Sequence, residues 1–320
     1  MKHSPWVLIA LFLLAQCKPE QYNKIDLSDQ PQELQLFAPH IISTELYERD
    51  IAISPGGDEI IHTLSDYKQT RRCLVVNKKC GTRWQSKTIL NFSGEYNDIE
   101  PFFSMDGNKL YFASDRPIRS DSNRRDYNIW VSDRQSQGWS DPSPLGPDIN
   151  TVGDEFYPAV SKNYNLYFTS ARESGTGKED IYLSRFAYGV YQKPEPLDTN
   201  INSTTWEFNA YISPDEDLIL FSSYGRKDDL GGGDLYFSKK DAQGNWMPSE
   251  NLGPLINSDK LDYCPFADLQ RGNFYFTSER FIIPDKKINN VAEIVQMANG
   301  LLNGMGNIYR ISSDQMNFKP

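Results

Sequence analysis

This sequence has little of what most catalytic centres are built from. Its 320 residues include three histidines and four cysteines. His3 falls in the N-terminal leader, and neither His40 nor His62 sits in a recognisable nucleophile motif. There is no serine nucleophile elbow and no phosphate loop, so no cofactor is expected. Cys73, Cys80 and Cys264 match neither a zinc site nor a redox pair in spacing. They are expected as free or buried thiols, the alternative being a disulfide between Cys73 and Cys80, which flank one predicted hairpin turn. Clustered positive charge is missing too. The net charge is −10 with no Lys/Arg-rich face, which argues against nucleic acid as a partner, because phosphate binding needs grouped cations. Long helical periods are nearly absent. High aromatic content and scattered Gly and Pro instead fit an all-β chain of many short strands.

Apolar runs are short as well. Trp6 to Ala15 is too brief to span a bilayer and has the length of a signal-peptide core, with Lys2 and His3 before it. It ends at Leu14-Ala15-Gln16-Cys17, which resembles a bacterial lipoprotein box, although Gln16 stands where a small residue is usual. The expectation is a signal peptide over 1–16, lipidation at Cys17 and a flexible tether over 17–32, placing the protein at the outer membrane as a lipoprotein. The alternative is an ordinary secretory leader that discards Cys17.

What is present is a repeat. The strings Asp50-Ile51-Ala52-Ile53-Ser54, Glu100-Pro101-Phe102-Phe103-Ser104, Tyr157-Pro158-Ala159-Val160-Ser161, Asn209-Ala210-Tyr211-Ile212-Ser213 and Cys264-Pro265-Phe266-Ala267-Asp268 follow one another at steps of 50, 57, 52 and 55 residues. Each opens a unit of four strand-like segments joined by short turns, with the fourth expected to start at Trp84, Trp139, Tyr191 or Trp246. Four antiparallel strands per copy describe propeller blades, with the first strands lining a central channel. The prediction is an all-β, five-bladed β-propeller over 33–320. Its blades run about 46–95, 96–152, 153–204, 205–259 and 260–320, closed by 33–45 so that no sheet edge is left open.

An acid stands six positions before each string's last residue: Glu48, Asp98, Glu155, Glu207 and Asp262. About twelve positions after that residue come Arg116, Arg172, Arg226 and Arg280, but Tyr67 in the first copy. Pairing about the tight turn brings acid and arginine together, so Asp98–Arg116, Glu155–Arg172, Glu207–Arg226 and Asp262–Arg280 are expected as structural salt bridges. Glu48, lacking an arginine, is expected to be free for a partner. No metal site is expected: Asp228, Asp229 and Asp234 beside Gly231-Gly232-Gly233 lack the EF-hand spacing.

The strings Ser104-Met105-Asp106-Gly107, Leu110-Tyr111-Phe112-Ala113-Ser114-Asp115-Arg116 and Gly233-Asp234-Leu235-Tyr236-Phe237-Ser238 resemble the WD-like repeats of the TolB propeller, found in envelope proteins of Bacteroidetes-type bacteria. The resemblance covers roughly 35–320 and implies a propeller. It leaves function open, because propellers bind, scaffold and catalyse alike. The Phe281 to Gly306 insertion of the last blade breaks the repeat and carries a short amphipathic helix near Val291 to Leu302. Loops that depart from a repeat tend to lie on the functional face. Phe281, Ile282, Ile294, Met297, Leu301 and Met305, with Glu48, are therefore the expected contacts for an envelope protein or peptide. The rival is a carbohydrate hydrolase using Glu48 with Glu155 or Glu207 as its carboxylate pair.

Overall fold

The computed structural model describes residues 24–118, 125–283 and 287–318. It is an all-β propeller of five blades, each a four-stranded antiparallel sheet, with one short helix among the described residues. Counting strands from the channel outward, the first strands are Tyr47–Ile53, Asp98–Phe103, Glu155–Val160, Trp206–Ile212 and Asp262–Asp268. Second strands are Glu59–Ser65, Lys109–Ser114, Leu166–Ser170, Leu218–Tyr224 and Asn273–Ser278. Third strands are Arg72–Cys80, Asn128–Asp133, Asp180–Ser184, Asp234–Lys239 and Asn307–Ser312. Both faces of these strands are covered by neighbouring blades, so they are buried almost throughout. Between the first two blades, for example, Ile61, Leu74 and Val76 pack with Phe103, Phe112 and Trp130.

Fourth strands differ from the expectation. They are two-residue edges, Thr88–Ile89, Ser143–Pro144, Glu195–Pro196 and Glu250–Asn251, and begin four residues beyond the aromatic markers. Trp84, Trp139 and Trp246 instead bridge back to the end of the third strand or just past it and bury their rings. Proline is tolerated at these positions because the outermost edge needs no second set of N–H donors.

The ring closes through the N-terminus. Gln35–Leu36 pairs with the last blade's third strand, Gln35 opposite Arg310 and Leu36 opposite Tyr309, and supplies its outer edge. The described part of the expected tether, residues 24–32, is not loose. Trp84 Nε1 donates to the Ile25 carbonyl at 2.9 Å, Asn273 Nδ2 to that of Leu27 at 3.0 Å and Arg310 Nη1 to that of Asp26 at 2.7 Å. Ile25 and Leu27 are buried among Phe37, Trp84, Tyr275 and Ile308. This strap crosses the seam between first and last blades. The rest of the expected leader, including Cys17, lies outside the described residues.

Cys73 and Cys264 are free thiols, so no disulfide joins Cys73 to Cys80. Cys80 itself is not free, contrary to the expectation of three thiols.

Candidate functional site

The acids six residues before the strand ends meet cations inside their own blades. Arg116 Nη2 lies 2.6 Å from Asp98, Arg172 3.2 Å from Glu155, Arg226 2.9 Å from Glu207 and Arg280 3.1 Å from Asp262. Each guanidinium rests over one ring from the second strand and one from the third: Phe112 and Trp130, Phe168 and Tyr182, Phe221 and Tyr236, Phe276 and Tyr309. All four carboxylates are fully buried. Burial raises the pKa of Asp98, Glu155 and Asp262 despite these partners.

Glu48 is the correction. It is as buried as the others, with one oxygen accepting the Thr44 N–H at 2.8 Å and the other the Thr44 hydroxyl. Lys87, from the outer part of the blade, brings its ammonium to 3.7 Å and so replaces the missing arginine. Burial nevertheless outweighs Lys87 and pushes Glu48 up to about 7. Glu48 therefore offers nothing to a partner. The proposed hydrolase pair of Glu48 with Glu155 or Glu207 has its carboxylates inside blades instead of facing the channel.

The same blade hides a residue that the repeat would have revealed by alignment. His62 occupies the second-strand position held by Phe112, Phe168, Phe221 and Phe276 elsewhere. It is fully buried and neither ring nitrogen finds a hydrogen-bond partner among the described residues. Burial first, and Lys87 second, hold its pKa well below the usual value.

Chemistry that departs from the five-fold pattern gathers at the channel. Each first strand carries a bulge, and its residue four places before the strand end takes a left-handed backbone: Asp50, Glu100, Tyr157, Asn209 and Cys264, at φ between 48° and 61°. Non-glycine residues adopt this region rarely, and strained positions of this kind cluster at functional sites. The N–H of the bulge residue donates to a hydroxyl of the preceding blade in four cases: Thr277 for Asp50, Thr63 for Glu100, Thr169 for Asn209 and Ser222 for Cys264. The second blade has Ala113 there and no hydroxyl to offer. Glu100 Oε2 accepts the Tyr157 N–H instead, at 2.7 Å.

Glu100 thereby becomes the hub of an asymmetric network. Its Oε1 accepts from Arg49 Nη2 at 2.8 Å and Asn209 Nδ2 at 3.2 Å, while Arg49 Nε is held by Asp50 at 2.7 Å. The Arg49 guanidinium also lies over the Tyr263 ring, 5.0 Å from its centre. Burial pushes Glu100 up to about 7 against the pull of Arg49. A cavity of about 270 Å³ opens beside this network, lined by Arg49, Arg72, Glu100, Glu179, Asn209 and the rings of Phe156, Phe208 and Tyr263. The bulge residues lie inside the repeated strings, and spacing alone gives them no role. Their signal was variety: Asp, Glu, Tyr, Asn and Cys at one register of an otherwise repeated string.

A larger groove, about 550 Å³, lies along the last-blade insertion. Helix α1 (Val291–Ala298) is shorter than expected, capped by Asn290, whose side chain accepts the Glu293 N–H, and none of its residues is buried. Phe281, Ile282, Ile294 and Met297 line the groove. Leu301 and Met305 do not. Leu302 takes that place, while the carbonyls of Leu301 and Met305 accept from Asn307 and so fasten the insertion to the third strand.

Among the described residues no group of His, Cys, Asp and Glu is arranged to hold a metal ion. Asp228 and Asp229 accept from the Tyr236 hydroxyl, and Asp234 from the Leu230 N–H and Asn251 Nδ2.

No protein-family model matches the chain, and no curated protein matches it. Solved structures do. TolB from Acinetobacter baumannii superposes with a TM-score of 0.49 at 14% identity, over 83% of this chain and 52% of that one, so this chain spans about half its length. A putative TolB from Agrobacterium tumefaciens gives 0.48 at 14% identity over 83% and 90%. The α-L-arabinofuranosidase PaAbf62A from Podospora anserina, solved in complex with cellotriose, gives 0.45 at 11% identity over 92% and 96%. At these values the likenesses carry no argument about activity.

Proposed function

We propose that this protein is a non-catalytic scaffold of the cell envelope, anchored through a lipid on Cys17, whose propeller presents the last-blade insertion to an apolar segment of another envelope protein or peptide. The observation that carries the reading is the exposure of that insertion. Ile282 is 62% exposed, Ile283 72%, Val291 74%, Ile294 52% and Val295 51%, all on one departure from the repeat. Apolar side chains concentrated in this way mark interaction surfaces. The groove they border is concave, which suits an inserted side chain or helix better than a flat bilayer. Helix α1 also carries no basic residue to meet anionic headgroups, its one charge being Glu293. A rigid ring beneath the insertion limits the ordering cost of association.

A photo-crosslinker at Ile294 in native envelopes, against one at Asn163 on the far side of the blades, tests this. The expected result is a discrete protein adduct from position 294 that disappears when Ile282 and Val295 are both changed to Glu. Adducts to lipid alone, or a protein adduct indifferent to those changes, would overturn the reading. Labelled fatty acid retained by a Cys17→Ser protein would remove the anchor.

A further inference from the structure

We propose that the channel mouth binds a small zwitterion of the free amino-acid class with an apolar side chain, its ammonium held by Glu179 and Asn209 and its carboxylate by Arg72. The site is separate from the insertion groove, and the inference does not depend on that surface having a partner.

Three polar groups lining the cavity lack a counterpart among the described residues. Asn209 is 4% exposed, and while its amide nitrogen donates to Glu100, its Oδ1 accepts from nothing. Glu179, half-buried just before the third blade's third strand, makes no side-chain hydrogen bond or ion pair among the described residues. Its pKa is raised, by burial first and by Asp154 second. Arg72 gives Nη1 to the Tyr127 hydroxyl at 3.0 Å, whereas its buried Nε has no acceptor. Asn209 Oδ1 and Arg72 Nε are buried without a partner, a costly arrangement that an occupant relieves, and Glu179 adds a part-exposed carboxylate to the same cavity.

The signs of these groups select the occupant. Two acceptors, one of them anionic, call for an ammonium, and one cationic donor calls for a carboxylate. The other charges at the mouth are already matched, Arg49 by Asp50 and Glu100. They hold Asn209 and the bulges in place and leave recognition to the unpaired groups. Phe156, Phe208, Ile99 and Leu261 form apolar walls for a side chain. The volume, about 270 Å³, lies just below the usual range of about 300–1,000 Å³ for ligand pockets, which limits the occupant to a small molecule.

Calorimetry and ligand-observed NMR on the full chain test this with L-leucine, isopentylamine, which lacks the carboxylate, and 4-methylpentanoate, which lacks the amine. Saturable binding of leucine is expected, with each half-ligand weaker by about tenfold or more. Glu179→Gln and Arg72→Gln should each weaken leucine by a similar factor while leaving the melting temperature within a few degrees. The half-ligand comparison uses the unaltered protein and stands even if a variant fails to fold. Isopentylamine or 4-methylpentanoate binding as well as leucine, leucine binding equally to both variants, or no saturable binding of leucine would each overturn the proposal.

Discussion

Glu100 and Tyr157 are joined across two blades by a single hydrogen bond, the Tyr157 N–H donating to Glu100 Oε2 at 2.7 Å. A carboxylate does here what a hydroxyl does at the other four blade contacts, because Ala113 has replaced the Ser or Thr of the repeat. Freed from the five-fold pattern, Glu100 also gathers Arg49 and Asn209.

Replacing Glu100 by Ala should therefore cost about 3 kcal/mol or more, since it leaves Arg49 Nη2, Asn209 Nδ2 and the Tyr157 N–H buried without one acceptor. Adding Ala113→Ser should return about 1 kcal/mol of that loss by offering Tyr157 the hydroxyl found in the other blades. Urea denaturation of the two single variants and the double variant measures the coupling. Strict additivity would show that the Tyr157 contact is not what Glu100 supplies.

His62 gives stability a dependence on acid. The folded protein holds the imidazole neutral by burial, while the unfolded chain takes up a proton near its ordinary pKa of about 6.5. Acid thus favours the unfolded state, and stability from this group is lost as pH falls below about 6.5, by up to about 1.4 kcal/mol per pH unit. His62→Phe restores the aromatic of the other blades and removes two unpaired ring nitrogens. It should be more stable than the parent, and the gap should widen between pH 7 and pH 5 in melting or urea experiments. A constant gap across that range would mean that His62 is not neutral in the fold.

Leu27 tests the strap. It is buried beside Phe37, Trp84 and Tyr275, and its carbonyl receives Asn273. Leu27→Ala should cost about 2–3 kcal/mol in chemical denaturation, the range for emptying an apolar site. A change below about 0.5 kcal/mol, typical of exposed positions, would return residues 24–32 to a loose tether.

The sequence alone was enough for the ring. Five copies in register specified the blade count, the strand order and the closing of the last sheet by the N-terminal segment, because contacts within a blade repeat whenever the string repeats. The same logic placed Arg116, Arg172, Arg226 and Arg280 against their acids, since a tight turn makes the register arithmetic local. Tertiary structure decided what the repeat does not encode. Lys87 reaches Glu48 from the outer part of its blade, and the strap crosses from Trp84 to Asn273. Glu100 meets Arg49, Tyr157 and Asn209 only because four blades converge on one axis. Convergence of first strands is a property of the closed wheel, so residues far apart in the chain become neighbours at its centre, where no spacing along the sequence announces them.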